Sequence, residues 1–161
     1  MRFGTLILGA LLAAGLAPAA HAANTAPALI DGNSTDDILN LARGYGSAIL
    51  GTQASGAPKI TGKIEGQPYT IYFSSCDDKT HRDCEDLDFY AAYPGSSPDA
   101  DKINGWNRDT RFARAYIDSN GDAGMDMDIN LVHGVSPDNM DSTLSLWAQL
   151  VKKFTAFVGE K

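Results

Sequence analysis

The sequence predicts an α+β domain in which helices pack on an antiparallel meander sheet. Three observations point there. Short apolar runs between Tyr45 and Ser75 are separated at hairpin spacing by Gly and Pro. Met125 to Leu131 alternates apolar and polar residues with period two, and the apolar residues from Pro137 to Val158 recur every three or four positions.

The first element reads as a short helix. Ser34 or Thr35 can cap it, Asp36 and Asp37 suit its positive end, Ile38, Leu39 and Ala42 form its apolar face, and Gly44 stops it. Ala48 to Leu50, Lys59 to Ile64 and Tyr69 to Ser74 read as three strands, the last with Tyr69, Ile71 and Phe73 on one face. Leu87 to Tyr93 gives a fourth, with Leu87, Phe89, Ala91 and Tyr93 together. Pro94 to Pro98 breaks it, and Asp99 to Trp106 suits a second short helix with Ile103 and Trp106 three apart.

Arg111 to Ile117 and Met125 to Val132 read as a hairpin about Asn120-Gly121, whose residues favour the positive backbone angles of a tight turn. If those two are the central turn residues, position 116 faces 125, 114 faces 127 and 112 faces 129. Phe112 and Tyr116 then join Met125, Met127, Ile129 and Leu131 on the core face. Arg114 is aimed at the same core, where an unpaired charge costs several kcal/mol, so it is expected to need a carboxylate partner. The last element is a long helix with Ser136 as cap and Pro137 at its first position. Its stripe places Trp147 and Phe154 in the core, and Gly159 ends it.

Residues 1–22 read as a cleaved signal peptide: Arg2, the apolar run from Phe3 to Leu16, then Ala20-His21-Ala22. That run is too short for a permanent span, so no membrane insertion is expected after cleavage and the product is expected to be periplasmic or secreted. Residues 23–33 read as a flexible leader and 34–159 as one domain. Without Arg2, 12 basic residues stand against 20 acidic ones, a net charge of about −8 that opposes nucleic acid and anionic membranes. In an oxidising compartment Cys76 and Cys84 are expected to form a disulfide. A redox or metal site built on Cys76, His81 and Cys84 matches no zinc pattern.

Catalysis has no visible agent. Asp118 to Asp122 begins like an EF-hand loop, but Ala123 and Ile129 stand where that loop needs Gly and a bidentate Glu. His81 and His133 have no partner at metal-ligand spacing, and the chain holds no Gly-x-Ser-x-Gly elbow. The pairs Asp77-Asp78 and Glu85-Asp86 lie in polar sequence where solvated charge is the ordinary explanation. No metal and no cofactor is expected.

Ile103 to Asp118, with its Trp106-Asn107-Arg108 and Arg111-Phe112-x-Arg114-x-Tyr116 combination, resembles the central signature of the YbjN family of bacterial sensory transduction regulators. The strand at Tyr69 to Cys76, the paired cysteines, Leu87 to Tyr93 and the final helix with Leu146-Trp147 appear in the same order, so the resemblance spans about Thr35 to Val158. It implies a fold like that of type III secretion chaperones and a regulatory role, with no reaction attached. Many relatives look cytoplasmic, so this chain's signal peptide keeps a cytosolic pathway from being carried over.

The resulting expectation is an exported, non-enzymatic protein-binding or regulatory module of the cell envelope, chaperone-like, with an unknown protein or peptide partner. A periplasmic small-ligand or metal-binding protein is the alternative, and a homodimer through a sheet edge is left open. Trp106, Arg108, Arg111 and Arg114 are the expected partner-binding residues, because a basic and aromatic cluster is unusual in so acidic a chain. In the competing reading Trp106 fills core and the arginines pair with Asp109, Asp126 or Asp128.

Overall fold

The computed structural model describes residues 28–159; the signal peptide and the leader up to residue 27 lie outside the described residues. Nine elements follow in order: α1 (Thr35–Arg43), β1 (Ser47–Thr52), β2 (Pro58–Ile64), β3 (Gln67–Ser74), β4 (Asp86–Tyr93), α2 (Ala100–Asp109), β5 (Arg114–Ile117), β6 (Ala123–Asn130) and α3 (Pro137–Gly159). The strands form one six-stranded antiparallel sheet in the order β1-β2-β3-β4-β6-β5. The first four strands make the expected meander. After β4 the chain runs through α2 to the far edge, lays down β5, and returns with β6 between the two.

Helices cover one face of this sheet. Ile60, Ile71, Phe73, Leu87, Phe89, Ala91, Met125 and Met127 point inward from the strands and meet Ile38 and Ala42 of α1 and Met140, Leu144, Trp147, Val151 and Phe154 of α3. Trp147 and Phe154 are fully buried, as the helical stripe predicts. The Trp147 ring lies 5.6 Å from Phe89, and Phe154 meets Tyr93 edge-on at 4.9 Å. Ser136 caps α3 by accepting from the Asn139 N–H, and Asp99 caps α2 by accepting from the Lys102 N–H.

The last hairpin departs from the expected register by one residue. Tyr116 faces Gly124, Ala115 faces Met125 and Arg114 faces Asp126. Asn120-Gly121 is not a two-residue loop: Gly121 donates to the Asp118 carbonyl and has φ +85°, and Asp118 pairs with Asp122, which makes a type I turn followed by a left-handed residue. The Asp118 carboxylate holds it by accepting from the Asn120 and Asp122 N–H groups. Because side chains alternate with period two, this shift turns Arg114 and Tyr116 away from the core and puts Ala115 into it. The strand also begins late. Phe112, expected opposite 129, precedes β5 with φ +75° and is 71 % exposed.

Two other features tie the ends together. Cys76 and Cys84 form the disulfide. Ile30 to Asn33, assigned by sequence to the leader, belong to the fold: buried Ile30 exchanges two 2.8 Å backbone hydrogen bonds with Val135, and Asn33 bonds the Asp83 carboxylate and N–H. An apolar Ile30 bridged to Val135 and buried in the core gains more than it would in a solvated leader.

Asn107 closes the β5 edge. Its side-chain amide donates to the Ala115 carbonyl at 3.0 Å and accepts from the Ala115 N–H at 2.8 Å, as a neighbouring strand would. Asn107→Ala is expected to lower the urea midpoint, at a cost of roughly 1–2 kcal/mol for two lost hydrogen bonds, with the denaturant slope unchanged. An unshifted midpoint would mean that water replaces the amide at no cost.

Candidate functional site: the open face of the sheet

The segment singled out by sequence does not form one surface. Trp106 is 2 % exposed, held between Phe154 at 4.7 Å and Phe157 at 5.3 Å, so it offers nothing to a partner. Its Nε1 is buried without a hydrogen-bond partner, as is that of Trp147. Ile103 and Trp106 on one helical face serve a core stripe and a binding stripe equally well, and here the face turns inward. Arg108 is exposed and pairs with its neighbour Asp109 at 3.1 Å, and Arg111 is exposed beside it. Arg114 reaches a different face, where it makes a two-pronged bond to Asp126 at 2.7 and 3.2 Å. The carboxylate partner expected for Arg114 is therefore present, but at the surface, with the Arg114 side chain 72 % exposed.

That face is the side of the sheet no helix covers. Alternation in each strand presents Lys59, Thr61 and Lys63 from β2, Thr70 and Tyr72 from β3, Asp86, Asp88 and Tyr90 from β4, Asp126 and Asp128 from β6, and Arg114 and Tyr116 from β5. Registration sets one row Thr70, Tyr90, Asp126, Arg114 beside a second row Lys59, Tyr72, Asp88, Asp128. Tyr72 and Tyr90 are diagonal neighbours with ring centroids 6.3 Å apart. The end of the Tyr116 ring lies over Gly124, where an added Cβ would stand 2.7 Å from it and push the ring aside.

The electrostatics of this patch are unbalanced. Arg114 answers Asp126, while Asp88 and Asp128 have no cation bonded to them among the described residues. Asp88 lies in the sheet centre with one carboxylate oxygen buried and unbonded. Burial, then the nearby Asp128 and Asp126 charges, push its carboxyl up to about 6, against a smaller opposing pull from Arg114. Burial, then Tyr90 and Asp126, push the Tyr116 hydroxyl up to about 12. The patch thus holds a desolvated, weakly satisfied carboxylate ringed by phenols. It holds no nucleophile paired with a base, and among the described residues no three His, Cys, Asp or Glu side chains are grouped to hold a metal.

None of Tyr72, Tyr90 or Asp88 was singled out from the sequence, and Tyr116 was placed on the core face instead. The signal present was alternation: in Leu87 to Tyr93 the residues between the core positions are Asp88, Tyr90 and Ala92. Their juxtaposition with Asp126 and Asp128 depends on β4 pairing with β6, which adjacency in sequence does not suggest.

Asp88 sets a pH dependence of known sign. Its folded pKa of about 6 lies above the usual carboxylate value, so the folded state binds the proton more tightly. Its contribution is therefore present at acid pH and lost as pH rises from about 4 through about 6. Asp88→Asn is expected to raise the melting temperature relative to wild type at pH 7, and the difference should shrink toward pH 4. Calorimetry over that range checks this; a gap independent of pH would place the titration elsewhere.

No helix among the described residues is long and apolar enough to cross a membrane. No curated protein matches the chain. Residues 35–160 match the family model YbjN, whose description is "Putative bacterial sensory transduction regulator". That match takes in every element from α1 to α3, and the chain belongs to the YbjN family.

Proposed function

We propose that this protein is an exported, non-enzymatic regulatory module of the cell envelope that acts by binding a positively charged extended segment of another protein on the open sheet face. The observation that carries the reading is the half-covered sheet. Its free side displays three tyrosines around Asp88, Asp126 and Asp128, of which only Asp126 is bonded to a cation, Arg114. Phenol rings and carboxylates together receive guanidinium and ammonium groups through cation–π and charge-assisted contacts, and tyrosine loses little rotamer freedom on binding. The net negative charge of the chain favours a basic partner on approach, and Lys59 and Lys63 on β2 bound the acidic zone on one side.

Export rests on the signal-like first 22 residues, and the disulfide is of the kind that oxidising compartments retain. The regulatory part rests on family membership. The family's likeness to secretion chaperones, which bind proteins without chemistry, supports the mode of action. Binding of a small ligand is the second reading, favoured by a cavity of about 720 Å³ lined by Gln67, Tyr93, Pro98, Thr155 and Val158.

The test is titration with a labelled peptide of alternating arginine and serine. Asp88→Asn and Tyr90→Ala should each weaken it by about tenfold, or ~1.4 kcal/mol, and added salt should weaken it further. Arg108→Ala should leave it unchanged. Equal affinity for the glutamate counterpart of the peptide, or indifference to both open-face substitutions, would refute the assignment.

A further inference from the structure

The two edges of the sheet are finished differently. At β5 the Asn107 amide occupies both backbone groups of Ala115. At β1 only β2 pairs with the strand, and Ser47 to Thr52 contains no charged residue, proline or bulge that would discourage another strand. The Arg43 guanidinium donates to the Ala48 carbonyl at 3.3 Å, which covers the first half of β1 and leaves Leu50 to Thr52 free. Ile49 is 65 % exposed and Leu50 42 %.

That free half opens into a cavity of about 480 Å³ between β1, the start of α1 and the disulfide loop, lined among others by Asn33, Thr35, Leu50, Thr52, His81 and Arg82. Its only ionisable lining residues are His81 and Arg82, in a chain of net charge −7. Arg82 makes no ion pair among the described residues. Two acids of the same loop are engaged in hydrogen bonds, and the charge of one of them, Asp77, also acts on His81, which leaves Arg82 as the cavity's unpaired cation. Asp77 accepts from the Lys79 and Thr80 N–H groups and the Thr80 hydroxyl, Asp83 is bonded to Asn33, and Asp78 lines a separate cavity that His81 also borders. The Cys76–Cys84 bond and the Asn33 contacts fix the loop in place.

We infer that the second half of β1 is a strand-addition site for an extended peptide segment carrying one acidic side chain, which enters this cavity and pairs with Arg82 and His81. Strand addition draws its affinity from main-chain hydrogen bonds, and pockets beside the edge select alternate side chains. The added segment extends the sheet beyond Leu50, so its core-side residues cover the exposed part of that side chain. The site is distinct from the open face in position and in charge, and stands whether or not that face binds a basic segment.

The experiment uses the oxidised protein and a labelled, end-blocked peptide of alternating valine and threonine with one central glutamate. Fluorescence anisotropy should show binding that falls about tenfold when the glutamate is replaced by glutamine, the size of one charge-assisted hydrogen bond. Arg82→Ala should bring the two peptides to equal affinity, and a backbone N-methylated peptide should not bind. Tyr90→Ala should bind the glutamate peptide as wild type does, which separates this site from the open face. The inference is overturned if the glutamate peptide fails to bind at millimolar concentration, or if glutamine or N-methylation changes nothing. It is also overturned if sedimentation shows a dimer that Leu50→Lys disperses, since a second copy would then hold the edge.

Discussion

Strand β4 is the constraint on which the rest of the molecule depends. It pairs with β3 on one side and β6 on the other, so its register is specified twice. Leu87, Phe89, Ala91 and Tyr93 are all buried beneath α3, and Phe89 meets Trp147. A slip of one residue would bring Asp88 under the Trp147 ring and turn Phe89 out to water. The alternation that secures the core therefore also fixes, on the opposite face, which side chains stand free. Asp88 and Tyr90 face solvent because Leu87 and Phe89 cannot.

How much of this was legible follows from which signals are local. The helix cap at Ser136, the stripe of α3 and the first three strands are set by residues near one another in sequence, and each is found where local pattern puts it, whereas Ser34 makes no side-chain cap bond to α1. The β5–β6 register hung on one conformational detail: Asn-Gly serves a two-residue turn and a type I turn with a left-handed residue, and the Asp118 carboxylate selects the second by holding two N–H groups. That one-residue difference decided whether Arg114 was buried or exposed. The open face was invisible for another reason. Each strand's polar residues could be read, but the side-by-side placement of Asp88, Asp126 and Tyr116 arises from β6 inserting between β4 and β5.

The signature segment around Trp106 shows how a recognisable motif can be largely structural, although Arg108, Arg111 and Phe112 stand exposed. Trp106 supplies core, Asn107 closes an edge, Arg114 ties β5 to β6 through Asp126, and the Tyr116 ring lies on Gly124. These residues build the far edge of the sheet, and that edge in turn positions Tyr116 and Arg114 on the open face. Most of the motif therefore serves architecture, and two of its residues, Arg114 and Tyr116, belong to the surface it assembles. Local consistency of this kind contrasts with Asp88, whose placement raises its pKa and leaves an oxygen unbonded. A half-buried carboxylate beside two others opposes folding at neutral pH, and such departures from a locally satisfied structure gather at functional sites.

The small covalent loop shows the same division between stability and placement. A disulfide spanning eight positions removes little chain entropy compared with one closing a long loop. Its structural reach is larger. Gly32 abuts the Cys84 backbone so closely that no Cβ fits, Asn33 clasps Asp83, and just before them Ile30 pairs with Val135 ahead of α3. The entry to the fold, the disulfide loop and the β6–α3 connection thus brace one another at one end of the sheet. With the backbone there held by a covalent bond and a bridge, Arg82 stands beside β1 on a fixed support, and a charge held in advance loses less entropy when a counter-charge arrives. A disulfide of modest stabilising value is suited to that task, because it constrains the backbone from which Arg82 projects.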